Sequence, residues 1–172
     1  TKANQRALLL VPQDYENYNN LGITIKELGR LEEAKGLYTQ AIRLKPNYAA
    51  AHNNLGNILH DLGELKDSED SLRRAISLKT GFSEAYFNLG NTLNKLGETK
   101  EATKSFSEAI EVKPDYALAY NNLAVMLQKL NELDEAEKRF RQAITLKTDD
   151  ALAYYNLGGL LKELGRFREA EI

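Results

Sequence analysis

The sequence predicts an all-α solenoid, in which helix hairpins stack one after another along the chain. The first observation is a period of 34 residues, at which asparagine recurs as Asn20, Asn54, Asn88, Asn122 and Asn156. The second is helical spacing, since apolar residues recur at i, i+3, i+4 and i+7 in two separate stretches of each period. One hairpin made of two such stretches cannot bury both apolar stripes alone, so successive hairpins must stack.

The period also predicts the organisation of the chain. With Tyr15 as position 1, four complete repeats occupy residues 15–48, 49–82, 83–116 and 117–150. Residues 151–172 begin a fifth repeat. Residues 1–14 match the second helix of an earlier repeat, because Ala7 lies 34 residues before Ala41. We therefore expect one continuous solenoid domain that begins and ends within repeats.

Each repeat is expected to contain two helices joined by a tight turn. The first helix carries apolar residues at positions 4, 7, 8 and 11 and ends at a Leu-Gly pair such as Leu28-Gly29. Glycine there adopts the left-handed conformation that ends a helix without a Cβ clash, and Asn131 is the next most tolerant residue. The second helix has its own apolar stripe and ends near Pro46, Pro114 or the equivalent Thr80 and Thr148.

Composition narrows the possible functions. The 172 residues are 42% hydrophobic and 28% charged with a net charge of -2, which does not favour nucleic-acid binding. The longest apolar run, Ala7 to Val11, is far shorter than a membrane span. Cysteine is absent, so disulfides and thiolate sites are excluded. The lack of an Asn-x-Ser/Thr sequon favours an intracellular location.

The residues at the repeated positions resemble the tetratricopeptide repeat (TPR). Position 7 is always leucine, position 8 is glycine or Ala124, position 4 is tyrosine except at His52, and position 20 is alanine except at Ser68. The resemblance covers essentially the whole chain. It implies a right-handed superhelix of antiparallel hairpins, with the first helices lining a concave groove that binds proteins.

The recurring asparagines lie at position 6, on the face opposite the apolar stripe. At 100° per residue, position 6 points roughly 200° away from position 4. Asparagine also costs a helix about half a kcal/mol relative to alanine. We interpret the five amides as a ligand-binding ladder, because one amide can pair with both the N–H and the C=O of a peptide backbone. Inheritance by duplication, or amides bonding to one another, is the alternative explanation.

The spacing fits an extended peptide. Neighbouring helices pack about 8–10 Å apart, and an extended chain advances about 3.3 Å per residue. Each asparagine would therefore meet roughly every third residue of the ligand. Phe87 and Tyr155 are the candidate apolar anchors, although their position 5 also borders the seam between helices. The predicted peptide-binding residues are Asn20, Asn54, Asn57, His60, Phe87, Asn88, Asn91, Lys95, Asn122, Lys129, Tyr155 and Asn156.

A narrower resemblance comes from Leu-Gly-Asn segments such as Leu55-Gly56-Asn57. Together with the position-6 asparagines they resemble the TPR arm of O-linked N-acetylglucosamine transferases. That resemblance implies asparagines that hold a substrate backbone, with catalysis outside this chain. The carboxylate clamp of other TPR proteins does not fit, because it needs lysine at position 5, which here holds Asn19, Asn53, Phe87 and Asn121.

No motif for catalysis, a metal or a cofactor is present. The sequence lacks a nucleotide-binding glycine loop, a His-Glu-x-x-His motif and a cysteine nucleophile. Three functions remain open: a peptide-binding module, which we prefer, the substrate-selecting arm of a larger glycosyltransferase-like enzyme, and a structural array. The array would self-associate end to end through uncapped repeats, where Leu8-Leu9-Leu10 lacks a neighbour.

Overall fold

A computed structural model describes residues 14–171 of the chain. This part contains nine α-helices, a short 3-10 helix at Glu169–Glu171 and no strand. The first helices of the repeats are α1, α3, α5, α7 and α9, and the second helices are α2, α4, α6 and α8. Their bounds are α1 Tyr15–Glu27, α2 Leu31–Leu44, α3 Ala49–Leu62, α4 Leu65–Leu78, α5 Ser83–Lys95, α6 Thr99–Val112, α7 Ala117–Lys129, α8 Leu133–Leu146 and α9 Ala151–Glu163.

The chain divides within α5 into an N-terminal unit up to Thr92 and a C-terminal unit from Leu93. In the N-terminal unit α1 packs on α2, α2 on α3, and α3 on α4. In the C-terminal unit α6 packs on α7, α7 on α8, and α8 on α9. Stacked helix hairpins confirm the predicted all-α solenoid. The segment predicted as the second helix of an earlier repeat lies almost wholly in residues 1–13, outside the described residues.

The turns within the hairpins form as predicted from the sequence. Gly29, Gly63, Gly97 and Gly165 have φ angles of 74°, 82°, 82° and 74°, and Asn131 has a φ of 62°. These left-handed residues let the chain reverse direction directly after the first helix, where a β-carbon would be strained at most residue types. Asparagine at position 131 thus performs the role that glycine performs in the other repeats.

The turns between hairpins carry a second recurring feature. The second helix of each complete repeat is followed by a lysine in the C-terminal cap position. These lysines are Lys45, Lys79, Lys113 and Lys147. Three of these ammonium groups lie over aromatic rings, with distances to the ring centre of 4.2 Å for Lys45 and Tyr15, 4.4 Å for Lys79 and Phe82, and 5.0 Å for Lys113 and Tyr116. A cation also interacts favourably with the carboxyl end of a helix. The Lys79 and Lys113 contacts help to hold the start of the next hairpin, whereas the Lys45 contact joins the end of the first hairpin to its own start.

The core of the N-terminal unit forms where small residues let the helices approach. Leu21 and Ile25 of α1 pack with Ala34 and Tyr38 of α2. A β-carbon on Gly22 would lie 2.6 Å from the Tyr38 ring, so glycine at position 8 makes room for the aromatic ring at position 24. In the next repeat Gly56 makes room for Leu72 in the same way, at 2.5 Å.

The core of the C-terminal unit uses the same positions with different residues. Phe106 of α6 and Phe140 of α8 are fully buried at position 24. Tyr120, Ala143 and Ala153 form a cluster that joins α7, α8 and α9. The second helix of each complete repeat therefore buries one large side chain at position 24.

Burial of Tyr38 predicts an alkaline loss of stability. Desolvation, assisted by the charge of Glu27, raises the pKa of Tyr38 from 10.0 to about 12. Because the folded pKa lies above the unfolded one, this group's contribution is intact below pH 10 and declines as the pH rises from 10 towards 12. We expect Tyr38→Phe to reduce the fall in urea midpoint between pH 9 and 11. Parallel declines in the two proteins would contradict this expectation.

Candidate functional site

The position-6 asparagines bond to buried asparagines of the preceding repeat. The Asn54 Nδ2 donates to Asn19 Oδ1 at 2.9 Å, and Asn88 Nδ2 donates to Asn53 Oδ1 at 3.0 Å. In the C-terminal unit, Asn156 Nδ2 donates to Asn121 Oδ1 at 2.9 Å. Each bond joins residues 35 positions apart, from position 6 of one repeat to position 5 of the repeat before it. The amide–amide bonding considered as an alternative from the sequence therefore occurs between repeats at Asn54, Asn88 and Asn156.

The position-5 partners were not among the peptide-binding residues predicted from the sequence. Asn19, Asn53 and Asn121 are only 4%, 1% and 2% exposed. A buried amide needs partners, and the position-6 amide of the next repeat supplies one. The signal was present in the sequence, because asparagine occupies position 5 in three of the first four repeats and Phe87 interrupts the series.

In the N-terminal unit these bonds extend into a chain with one direction. The Lys26 ammonium donates to Asn57 Oδ1, and Asn57 Nδ2 donates to Asn88 Oδ1 at 3.5 Å. Asn88 donates to Asn53, whose Nδ2 donates to Glu84 Oε1 at 3.3 Å. Asn88 is thereby held on both its carbonyl and its amide group. The structure thus brings together two of the predicted site residues, Asn57 and Asn88.

The other N-terminal asparagines have different environments. Asn54 is half-buried, and its bond to Asn19 uses one of its two N–H groups. The side chain of Asn20 is exposed and forms no hydrogen bond with residues 14–171. Asn91 is half-buried and makes contacts of its own. Asn54 and Asn20 are therefore the amides of this unit with most remaining capacity for a ligand.

His60 is joined to a buried pair of hydroxyl groups. Its Nδ1 lies 3.2 Å from Thr92 Oγ1, which lies 3.0 Å from Ser68 Oγ. Ser68 donates to the Gly56 carbonyl at 2.7 Å, and Thr92 donates to the Asn88 carbonyl at 3.1 Å. Serine in place of alanine at position 20 is therefore satisfied by this network, which also fixes the ring of the half-buried His60.

In the C-terminal unit the polar contacts lie at two levels along the first helices. Asn121, which accepts from Asn156, donates to Asn122 Oδ1 at 3.3 Å. Near the carboxyl ends of the helices, Lys129 Nζ donates to Asn94 Oδ1 at 2.8 Å, and Gln128 Nε2 donates to Glu163 Oε2 at 2.6 Å. These contacts join α7 to Asn94 of α5 and to Glu163 of α9. The predicted site residues Asn122 and Lys129 both lie on α7.

The two predicted aromatic anchors differ in exposure. Phe87 is half-buried, whereas Tyr155 is 80% exposed and lines an open cleft on α9 with Gly158, Gly159 and Lys162. The exposure of Tyr155 contrasts with the burial of Asn19, Asn53 and Asn121 at the same repeat position. Of the two aromatic residues, Tyr155 therefore has the larger exposed surface for contact with a ligand. The predicted site residue Lys95 is also exposed.

Within each unit, the predicted site residues are joined mainly by hydrogen bonds. Carboxyl groups with lowered pKa values lie elsewhere, where hydrogen bonds from Lys138 and Arg166 lower the pKa values of Glu135 and Glu169 respectively. Among residues 14–171, no group of three or more His, Asp or Glu side chains could hold a metal ion. In the same range, no helix is both long enough and apolar enough to cross a membrane.

Family profiles identify the repeat. Profiles described as TPR repeat or tetratricopeptide repeat match residues 25–63, 49–81, 81–149 and 127–172. Together these matches extend from residue 25 to the last residue. The chain therefore belongs to the tetratricopeptide-repeat proteins, a class of all-helical scaffolds for protein binding. No curated protein sequence matches it.

Solved structures share the fold. MamA is 26% identical with a TM-score of 0.80, and the match covers 91% of this chain and 85% of MamA. YrrB, described as a TPR protein with an unusual peptide-binding site, is 24% identical with a TM-score of 0.79, over 98% of this chain and 87% of YrrB. PilF of Pseudomonas aeruginosa is 21% identical with a TM-score of 0.85, over 91% of this chain and 72% of PilF.

Proposed function

We propose that this chain is a peptide-binding module that holds an extended polypeptide segment through its position-6 asparagines. The observation that carries the proposal is the repeated bond between position 6 and position 5, seen at Asn54 and Asn156. The bond fixes the amide before any ligand arrives. A fixed side chain loses less conformational freedom on binding, so more of the hydrogen-bond energy remains available for affinity.

The count of donors and acceptors supports the same reading. An asparagine side chain offers two N–H donors and one carbonyl oxygen. Asn54 and Asn156 each use one N–H for the intramolecular bond. The remaining N–H and the carbonyl oxygen match the C=O and N–H of an extended backbone. Asn88, held on both groups, would position its neighbours and contribute less to the ligand.

Affinity must come from more than the amides. A net hydrogen bond contributes on the order of 1 kcal/mol, whereas association costs about 4–15 kcal/mol. Side chains beside the amides would supply the rest: His60 in the N-terminal unit, and Lys129 and Tyr155 in the C-terminal unit. Tyr155 has the largest exposed aromatic surface of these residues and would be the main apolar contact.

A related function shares the same residues. The position-6 asparagines and the Leu-Gly-Asn segments also support a substrate-selecting arm of a glycosyltransferase-like enzyme, with catalysis outside this chain. Such an arm would hold its substrate through the same amides. The sequence that follows Ile172 in the whole protein distinguishes the two proposals, because only the arm requires a catalytic domain.

Substitution of the amides tests peptide binding. Fifteen-residue peptides would be selected from a random displayed library on the purified chain, and their Kd values measured by fluorescence polarisation. We expect Asn54→Ala and Asn156→Ala each to weaken at least one selected peptide by about 5-fold, the equivalent of about one hydrogen bond. N-methylation of the peptide backbone should weaken the same peptide.

The matched control removes an amide from another part of the surface. Asn47 is exposed in the turn before α3, and Asn47→Ala should leave Kd unchanged. Far-UV circular dichroism would establish that all variants keep their helices. Failure to enrich any peptide, or Kd values that are the same for the wild-type chain, Asn54→Ala and Asn156→Ala, would refute the proposal.

A further inference from the structure

The first helices of the C-terminal unit end in a basic rim. Their last turns place Lys95, Lys129 and Lys162 on the surface, and Glu163 is the only carboxylate that α7, α9 and the part of α5 from Leu93 contain. The second helices of the same unit are balanced by comparison. Helix α6 has two lysines and three glutamates, and α8 has three cations and three carboxylates. The positive charge is therefore concentrated on the first helices.

Two lysines of this rim, Lys129 and Lys162, are the ones that matter for a ligand. Lys129 contacts the neutral amide oxygen of Asn94 at 2.8 Å, and neither Lys129 nor Lys162 forms an ion pair with a carboxylate among residues 14–171. The cations of α8 behave differently, since Lys138, Arg139 and Arg141 all contact carboxylates at 2.5–3.2 Å. The carboxylate of Glu163 is occupied by Gln128.

A lysine near the end of a helix also interacts with the helix dipole, but the N-terminal unit shows that this position does not require an unpaired cation. There, Lys26 occupies the last turn of α1 and pairs with Asp61 at 3.3 Å. The first-helix residues of that unit contain four carboxylates and this one lysine. Within the part of the chain that the structure describes, Lys129 and Lys162 of the C-terminal unit thus differ from Lys26 in having no carboxylate partner.

We propose that the C-terminal unit selects an acidic extended segment, whose carboxylates contact Lys129 and Lys162 while its backbone contacts Asn156. This inference rests on the peptide-binding function proposed above. Lys129 uses one of its three N–H donors on Asn94 and keeps two for a ligand carboxylate. Neighbouring helices lie about 8–10 Å apart, and an extended chain advances about 3.3 Å per residue. Acidic side chains at every third ligand residue would therefore match the spacing of the helices.

The experiment uses two synthetic peptides of opposite charge. The first has twelve residues with glutamate at every third position on a serine and alanine background, and the second replaces every glutamate by lysine. At about 50 mM salt, where exposed charges are weakly screened, the glutamate peptide should bind and the lysine peptide should not. Lys129→Glu should weaken the glutamate peptide by about 5- to 10-fold, since attraction is replaced by repulsion.

Lys138→Glu is the matched control, because it changes the net charge equally on the exposed surface of α8. The inference is overturned if Lys138→Glu weakens binding as much as Lys129→Glu, or if the lysine peptide binds as tightly as the glutamate peptide. The variant Asn156→Ala distinguishes the acidic preference from the peptide-binding function proposed above. Weakening by Asn156→Ala alone overturns the acidic preference and supports backbone binding. Weakening by Lys129→Glu alone supports the acidic preference and overturns backbone binding through Asn156.

Discussion

Replacing Phe140 by alanine is expected to lower the free energy of unfolding of the C-terminal unit by about 3–5 kcal/mol. The Phe140 side chain is 0% exposed within α8, and it is the large residue at position 24 of its repeat. Its removal leaves a cavity that the surrounding helices fill only in part. Urea unfolding followed by far-UV circular dichroism would measure the change, and hydrogen exchange of residues 133–146 would locate it.

The control for this substitution lies in the same unit. Phe167 is 65% exposed, so Phe167→Ala should change the free energy of unfolding by less than about 0.5 kcal/mol. A loss below about 1 kcal/mol for Phe140→Ala would show that the repeats do not depend on the aromatic residue at position 24.

The second large effect is expected at Gly22. A β-carbon there would lie 2.6 Å from the ring of Tyr38, which is buried and cannot move aside without displacing its neighbours. Gly22→Val should destabilise the first hairpin by about 2–3 kcal/mol through overpacking. This cost should exceed the gain in helix propensity, since glycine is roughly 1 kcal/mol less favourable than alanine in a helix.

Gly158 provides a control at the same repeat position. The nearest atom to a β-carbon on Gly158 is the Ala170 carbonyl oxygen, at 3.5 Å, which is ordinary contact. Gly158→Val therefore makes the same change in helix propensity without the clash. Urea midpoints of the two variants would be compared with that of the wild-type chain. Equal losses in both variants would contradict the assignment of the effect to packing against Tyr38.

The sequence was sufficient to predict the hairpins because their determinants are local and repeated. The left-handed glycines after the first helices and the large residue at position 24 recur at a constant spacing, so each repeat supports the interpretation of the next. The helix wheel also separated position 6 from the apolar stripe. It could not show how deeply each side chain is covered, because coverage depends on the neighbouring hairpin.

That limit explains why the buried asparagines were not identified as part of the site. Position 5 borders the apolar stripe, and only packing of the next repeat decides whether Asn19 or Asn53 meets solvent or another amide. The same reasoning applies to Lys129 and Asn94, whose contact crosses between repeats. Such contacts join residues 31 or 35 positions apart, and a wheel drawn for one helix does not contain them.

The hydrogen-bond chain from Lys26 to Glu84 has a consequence for assembly of the array. Repeats with apolar residues at the same positions could pair with the wrong neighbour during folding, since their apolar stripes are similar. All four bonds of this chain point the same way, from an ammonium group at one end to a carboxylate at the other. An arrangement that skips a repeat would leave buried amides unmatched and separate the terminal charges from their partners. The directional hydrogen-bond chain thus favours the correct pairing of successive hairpins over pairing with a more distant repeat.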